Sequence, residues 1–482
     1  MEQNGVNVAI IGTGISGLRT AYLLSKRTDQ KLKNITLFER NDYLGGVIRN
    51  TKKNGYLLEH GAQGVLLSRE TFKTCIDDLK LNHKLLFPPT KKLKRFLLTP
   101  SEIIALSPNL FKFKRKGLIR IRDILRIIFE IFIRKPVIQN PNESLYSFFS
   151  RRFGKAFAST FLVPLSFGIW GGSSRKLLIR YTFPQLLKLE NGYGSLFRAA
   201  FYTFFKKLFY KKEKIVLGLA SFPEGMHCLI DNLHKELKEN CSRNNIQLNL
   251  KLTASVREIN KDKNKLELKY QILNEDNVIR EDYDCVIYTG QPWRDSHISI
   301  ASTFPEINNP FQTLRNIESH SIAVIGLGGK DTEKRAPQGF GALAGEWSND
   351  ILGIIFIHST YPSHTPENSF LYRVMLGGDR DLDINLLSDE ELLELSKKRL
   401  REAKIISDKT KFEFTEVVKW EKYLPLSTEL QDKVIQSVWQ LEALMPGLFF
   451  AGNYIKGPAV PDCLAQANET AEKVIKYINE LI

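Results

Sequence analysis

Cysteine, methionine and tryptophan are scarce, at five, four and five of 482 residues. Cys75, Cys228, Cys241, Cys285 and Cys463 are scattered, with no C-x-x-C and no metal-ligand spacing. That excludes a disulfide scaffold and cysteine-held zinc or iron–sulfur centres, and leaves buried thiols in a reducing compartment as the expectation. No run is long and apolar enough for a convincing membrane span. The least charged stretch, 156–174, contains Pro164, Gly168, Gly171, Gly172 and five serines or threonines; it reads as a buried turn or pocket wall. No repeat or low-complexity tract is present. Acidic residues are outnumbered by basic ones, 53 to 69, for a net charge of +16. An anionic membrane surface or an acidic substrate fits that excess. Nothing resembles a nucleic-acid module, so that partner is not expected. Hydrophobic content of 43% and charged content of 25% are ordinary for a globular chain, here long enough for two or three domains.

What is present is concentrated at the N-terminus. Val6–Ile11 is an apolar strand-like run. It feeds Gly12-Thr13-Gly14-Ile15-Ser16-Gly17, a G-x-G-x-x-G turn. Leu18–Arg27 then reads as a helix and Ile35–Leu37 as a second strand ending at Glu39. In that strand–turn–helix–strand context the glycines serve a tight turn, a close backbone approach to a pyrophosphate, and helix-on-strand packing. The helix N-terminus attracts the phosphates, and Glu39, about 20 residues on, is placed to accept ribose hydroxyls. Leu44-Gly45-Gly46-Val47-Ile48-Arg49 follows. A second close approach at Gly46 and a phosphate-holding cation at Arg49 point to FAD rather than NAD. The fingerprint begins at residue 12 after a polar lead, so no signal or transit peptide is expected.

Basic residues cluster twice: Lys91, Lys92, Lys94 and Arg95, then Lys112, Lys114, Arg115, Lys116, Arg120 and Arg122. The second cluster runs into Ile121–Arg134. There the periodicity predicts a helix with one polar stripe, Arg122, Arg126, Glu130 and Arg134, and a broad apolar face suited to a membrane interface. Strands are expected at Leu248–Leu252, Leu266–Tyr270, Val286–Tyr288 and Leu448–Ala451. Helices are expected at Leu386–Lys404, with Ser388 as N-cap, and at Ala465–Ile478. A cofactor domain built from both chain ends, with other domains inserted, follows from this order.

Further motifs stand in order along nearly the whole chain. They include Arg95-Phe96-Leu97, Phe167-Gly168-Ile169-Trp170-Gly171-Gly172, Lys188-Leu189-Glu190-Asn191-Gly192, Ser221-Phe222-Pro223-Glu224-Gly225-Met226, Gln338-Gly339-Phe340-Gly341 and Met375-Leu376-Gly377-Gly378. The last is Ala451-Gly452-Asn453 followed by Gly457-Pro458-Ala459-Val460-Pro461-Asp462-Cys463. The set resembles the protoporphyrinogen oxidase family of the flavin amine oxidase superfamily. The sequence departs from the family pattern at Ser173-Ser174, at Pro461, and at His60, for which local hydrogen bonding is expected rather than base catalysis.

The resemblance implies an α/β fold, α+β overall. A Rossmann-like FAD domain would take residues 1–88, 208–290 and 412–482, a helical membrane-binding region 89–207, and a mixed-sheet substrate domain 291–411. It implies cofactor contacts at Gly12, Thr13, Gly14, Ile15, Ser16, Gly17, Glu39, Arg40, Gly46, Val47, Arg49, Gly61, Ala62, Gln63, Gly64, Val256, Gly452, Asn453, Pro458, Ala459 and Val460. Arg95 would pair with a substrate propionate, and Gly168, Leu327, Leu343 and Tyr361 would wall the pocket. Protoporphyrinogen IX would lose six electrons in three FAD-mediated rounds, with dioxygen as acceptor and hydrogen peroxide formed. Flavin N5 would carry the chemistry, with no catalytic side chain and no metal. Coproporphyrinogen III is the alternative substrate, kept open by Lys91, Lys92 and Lys94. An amine oxidase-like flavoenzyme and a non-catalytic membrane-associated flavoprotein are more distant readings. A cytoplasmic location, peripheral on the cell membrane, is expected, and a homodimer is left open.

Overall fold

The computed structural model describes residues 5–29, 31–89, 93–209, 219–262, 265–295, 297–301, 305–331 and 336–481. A five-stranded parallel sheet forms its base, in the order Leu448–Phe450, Cys285–Tyr288, Val6–Ile11, Leu32–Phe38, Gln247–Lys251. The three strands Val6–Ile11, Cys285–Tyr288 and Leu448–Phe450 are almost wholly apolar and buried because both faces of the sheet are covered there. Val8 and Ile10 face a core shared with helices Ile15–Ser25, His227–Arg243 and Val460–Leu481. Ala9, Ile11, Phe38, Val286 and Tyr288 face a second core, beneath the sheet of Val278–Tyr283, Lys265–Ile272, Ala254–Asp262 and Ser299–Ala301. The C-terminal strand and helix complete the N-terminal unit, as the order of elements implied. All five cysteines are buried and unpaired.

A seven-stranded sheet stands above the cofactor unit. Its order is Phe414–Pro425, Ser319–Lys330, Ser369–Gly377, Ile351–Phe356, Gly341–Ala344, Arg95–Leu98, Ile103–Ala105. Two boundaries shift accordingly. Arg95–Ala105 and Phe414–Pro425, assigned to the helical region and the FAD domain, hydrogen-bond into this sheet. The pairing of Arg95–Leu98 with Gly341–Ala344 and of Phe414–Pro425 with Ser319–Lys330 is long-range and leaves no local mark. One face packs under helix Asp389–Glu402. That helix starts at a capping box: Ser388 Oγ accepts the Glu391 N–H at 3.2 Å and Glu391 Oε2 accepts the Ser388 N–H at 2.7 Å.

Between residues 110 and 209 the regular structure is helical. The expected helix over Ile121–Arg134 is Ile121–Ile128, then a tight 3₁₀ turn over Phe129–Phe132. The polar stripe does not face water as a unit. Glu130 is fully buried against Arg152, and Arg126 donates to the carbonyls of Arg151 and Arg152. Ile124 and Ile127 point inward, whereas Ile121, Leu125, Ile128, Phe129 and Phe132 are exposed. Helix Leu196–Phe209 adds exposed Phe201, Tyr202, Phe204 and Phe205. Segment 156–174 is helical rather than a turn, through a π-helical turn Ala158–Leu162 into Val163–Trp170. Among the described residues no helix is long and apolar enough to cross a membrane.

Candidate functional site

A cleft opens at the carboxyl ends of the parallel strands, where open α/β sheets bind ligands. Gly12, Gly14, Ile15, Ser16, Glu39, Arg40, Gly46, Val47, Val256, Gly452 and Asn453 line it. The three fingerprint glycines differ physically. A Cβ on Gly12, which sits at φ +102°, would meet Thr289 Oγ1 at 2.7 Å, and one on Gly17 would overlap the Gly12 carbonyl oxygen. A Cβ on Gly14 would meet nothing within 4 Å and would project into open space. The helix beginning at Ile15 has no acidic residue in its first turn, so its positive end is free for an anion. The second glycine element is tied to the first, with Gly45 N–H donating to the Thr13 carbonyl at 2.9 Å.

Glu39 is held in position. Its Oε2 accepts the N–H and hydroxyl of buried Thr13 (3.1 and 2.6 Å), and its Oε1 accepts the N–H and side chain of Asn41 (3.0 and 2.7 Å). Arg40 pairs with Asp295 at 2.9 Å. Arg49 is not part of the wall; its guanidinium lies 3.5 Å from the ring centroid of Tyr43, which is. Thr289, Gly290, Gln291, Arg294 and Asp295 also line the cleft. Sequence reasoning missed this loop, although Thr289-Gly290 directly after an apolar strand was a signal that could have marked it.

The Gly61–Gly64 loop lies behind Val47, since a Cβ on Gly61 would overlap the Val47 carbonyl. Ala62 packs on the sheet core. Gln63 is buried, yet neither atom of its amide has a hydrogen-bond partner in the protein. Buried amides are rarely left so; together with the empty space over Gly14, this fits a dinucleotide whose ring system offers complementary donors and acceptors. Asn453 is buried on the wall, and Pro458, Ala459 and Val460 lead into helix Val460–Leu481, outside the wall.

A buried cation anchors this loop. Arg373 donates from Nε to the Glu59 carbonyl (2.9 Å) and from Nη2 to the Gly61 carbonyl (2.6 Å). Burial holds it down at about 10, opposed by Glu59, so it stays charged at neutral pH. The Glu59 carboxyl is pushed up to about 8 by burial, against the pull of the Met226 N–H and Arg373. His60 is pushed down to about 4, first by burial and then by Arg49 and Arg373. Neutral at neutral pH, it shares a hydrogen bond with Thr51 at 2.8 Å.

These two shifts oppose each other. Glu59 binds its proton more tightly folded than unfolded, so its contribution is complete below about 4.5 and is lost as pH rises through about 8. His60 binds its proton less tightly folded, so its contribution is gained between about 4 and 6.5. Of these two groups, only the carboxyl changes its contribution above pH 6.5. Glu59→Gln should therefore flatten the fall in melting temperature between pH 6.5 and 8; an unchanged slope would mean that Glu59 ionises in its ordinary range.

The cleft meets a second surface at Trp420, whose indole N–H donates to the His60 carbonyl at 3.0 Å. Trp420 shares one face of the seven-stranded sheet with Val418, Ile322, Val324, Met375, Gly353, Leu343, Leu97 and Arg95. Ile322, Met375, Val418 and Trp420 are only partly buried. Helix Val163–Trp170 lies along this face: a Cβ on Gly168 would overlap Leu343, and Phe167 packs near Ile322 and Met375. Arg95 is exposed at the rim, 5.6 Å from the Phe340 ring centroid, with no carboxylate partner among the described residues. Lys94 beside it is exposed; Lys91 and Lys92 lie outside the described residues.

Two pocket-wall expectations place differently. Leu327 pairs with Tyr372, one residue out of step with Gly326 and Arg373, and so packs beneath helix Asp389–Glu402 on the far face. Tyr361 is fully buried, its hydroxyl donating to the Leu219 carbonyl at 2.9 Å against Gly64, behind the cofactor loop.

The chain belongs to the flavin-containing amine oxidoreductase family, whose profile matches residues 15–475. It is accordingly an FAD-dependent oxidoreductase. It is similar to the mitochondrial protoporphyrinogen oxidase of Nicotiana tabacum, 27% identical over 502 residues and covering 98% of this chain and 95% of that one. It is also similar to the coproporphyrinogen III oxidase of Staphylococcus aureus, at 26% over 486 residues, 97% of this chain and 99% of that one. Its backbone superposes on a candidate protoporphyrinogen oxidase from Exiguobacterium sp. 255-15 with a TM-score of 0.79 at 20% identity, covering 97% and 98% of the two chains.

Proposed function

We propose that this chain oxidises protoporphyrinogen IX to protoporphyrin IX, with dioxygen as acceptor and three hydrogen peroxide formed per porphyrin. The observation that carries this reading is the junction at Trp420. An apolar, incompletely covered sheet face meets the cofactor cleft there and ends at an exposed cation, Arg95. Such a slot suits a large apolar ring with carboxylates at one edge. FAD, when bound, takes up two electrons at a time, so a six-electron oxidation needs three rounds. The chain's own part is to orient the ring against Ile322, Met375 and Leu343, to hold a propionate at Arg95 and to keep water from the slot. The names of the relatives in tobacco and Staphylococcus support a porphyrinogen. Coproporphyrinogen III, with four propionates, is the second reading, favoured by exposed Lys94 beside Arg95.

Anaerobic reduction of the bound flavin by each porphyrinogen, side by side, tests the choice. Protoporphyrinogen should reduce it faster, and no reduction by either would overturn the reading. Losing a charge-assisted hydrogen bond costs about 1.5–3 kcal/mol, so Arg95→Ala should weaken apparent substrate affinity by roughly 10–150-fold with flavin content unchanged. Unaltered kinetics would remove Arg95 from the site.

Residues 111–134 we propose as a peripheral docking face for an anionic membrane. Exposed Ile128, Phe129 and Phe132 adjoin the basic run Lys112–Arg122. Each cation near such a leaflet contributes about 1 kcal/mol, screened over about 8 Å at physiological salt. Binding to anionic vesicles should weaken with salt and be lost in the Ile128→Ser/Phe129→Ser/Phe132→Ser variant with flavin retained. A chain that ignores such vesicles at low salt has no such face. Ile124 is left out of this variant because it is core.

A further inference from the structure

Next to Arg95 lies an apolar groove that the proposed chemistry does not use. Leu106, Ser107, Pro108 and Leu110 form one wall, Phe157 and Phe161 the other, around about 400 Å³. The floor is firm: Phe113 is fully buried and meets Phe161 edge to face at 4.9 Å. Leu106, by contrast, is 40% exposed. The rim is cationic. Helix Leu110–Arg115, capped by Asn109 Oδ1 on the Phe111 N–H at 3.1 Å, exposes Lys112, Lys114 and Arg115. Lys112 Nζ donates to the carbonyl of Ala105, the residue before groove-lining Leu106, at 3.3 Å. Lys116 is held by Glu102 at 2.6 Å, but Lys112, Lys114 and Arg115 have no carboxylate partner among the described residues.

We infer that this groove seats one acyl chain of an anionic membrane phospholipid, with its phosphate against Lys112, Lys114 and Arg115. The charge complementarity selects an anionic head. The walls offer a single polar side chain, Ser107, so they match a hydrocarbon tail rather than a group that needs hydrogen-bond partners. The inference rests on the docking face proposed above and goes beyond it: it is a saturable site for one lipid, not adsorption to a surface. Its position bears on the substrate, because the Leu106 N–H donates to the Arg95 carbonyl at 2.7 Å. A seated chain therefore steadies the strand that carries Arg95.

The probe is dihexanoyl phosphatidylglycerol below its micellar concentration, titrated calorimetrically into the full-length flavin-loaded protein, with dihexanoyl phosphatidylcholine and inorganic phosphate as parallel arms. The glycerol lipid should saturate at one per chain and bind at least about tenfold tighter than the choline lipid, and phosphate alone should not compete. Leu106→Asp should abolish this binding with flavin content and melting unchanged. If that variant does not fold, Ser107→Trp, which fills the groove, should lose the lipid equally. No saturable binding by the unaltered protein, undiminished binding in the folded groove variant, or displacement by phosphate alone would overturn the inference. If anionic vesicles still bind while the single lipid does not, the groove fails and the docking face stands; if vesicles are also ignored at low salt, both fall.

Discussion

Gly14→Val should give a folded protein that purifies without colour. Gly14 has φ −63° and ψ 178°, backbone that any L-residue adopts, and its Cβ would touch nothing in the protein. The new side chain therefore costs the apo fold little, within about 0.5 kcal/mol for a substitution of this kind. It would stand at the mouth of the helix, in the space through which a pyrophosphate must approach the backbone N–H groups. Retained flavin should fall at least about tenfold, equivalent to ~1.4 kcal/mol. Gly17→Ala is the control with the opposite cause. Its Cβ would overlap the Gly12 carbonyl, so the helix must shift off the strand and the apo protein itself should melt earlier. Flavin absorbance per chain, with calorimetric melts of both apo variants, separates blocked approach from lost packing. Yellow Gly14→Val protein would remove the pyrophosphate from this turn.

The contrast between these glycines also marks how much the sequence could reveal. The fingerprint and the Ser388 N-cap were readable because their partners lie within a few residues, where turn chemistry and capping act. Glu130 was misread because its partner, Arg152, lies in another helix. Periodicity assigns a charged residue to water unless a distant partner is known. Leu327 was misplaced for a different reason. Strand alternation gives adjacent residues opposite faces, and only pairing to Tyr372 rather than Arg373 fixes which face Leu327 takes. The Thr289–Asp295 loop reaches the cleft because strand Cys285–Tyr288 pairs with Val6–Ile11 across some 280 residues. No local signal encodes that pairing. Gly12, Gly14, Glu39 and Val256 meet in one cleft, as expected. The Trp420 junction that joins the cleft to the apolar face emerges only from tertiary structure.

Arg152→Met tests whether the helical region depends on the buried charges that the sequence hid. Arg152 is fully buried and serves four acceptors: Glu190 Oε1 from Nε at 2.5 Å, Glu130 Oε1 at 3.2 Å, and the carbonyls of Ile133 (2.8 Å) and Gly194 (2.9 Å). Glu130 in turn accepts from Ser195 Oγ and from the N–H groups of Leu196 and Phe197 at 2.6, 3.0 and 3.1 Å. This fixes the start of the helix that exposes Phe201, Phe204 and Phe205. Methionine fills the space but leaves the Glu130 carboxylate buried without a cation. Glu190 keeps only Arg151, at 2.7 Å. Breaking one side of a buried pair costs about 3–5 kcal/mol. Amide exchange over residues 121–133 and 145–197 should accelerate by roughly two to three and a half decades, while the parallel sheet keeps its protection and its flavin. Vesicle binding should weaken as well, because the exposed aromatics lose their common base. Arg152→Lys should recover only part, since an ammonium has three donors and no planar fork for the two carboxylates. Adding Glu130→Gln and Glu190→Gln to Arg152→Met should restore protection, because the penalty lies in stranded charge rather than in lost volume. Unchanged exchange in Arg152→Met would mean that desolvation already offsets the pairing in the native protein and that apolar packing alone holds these helices.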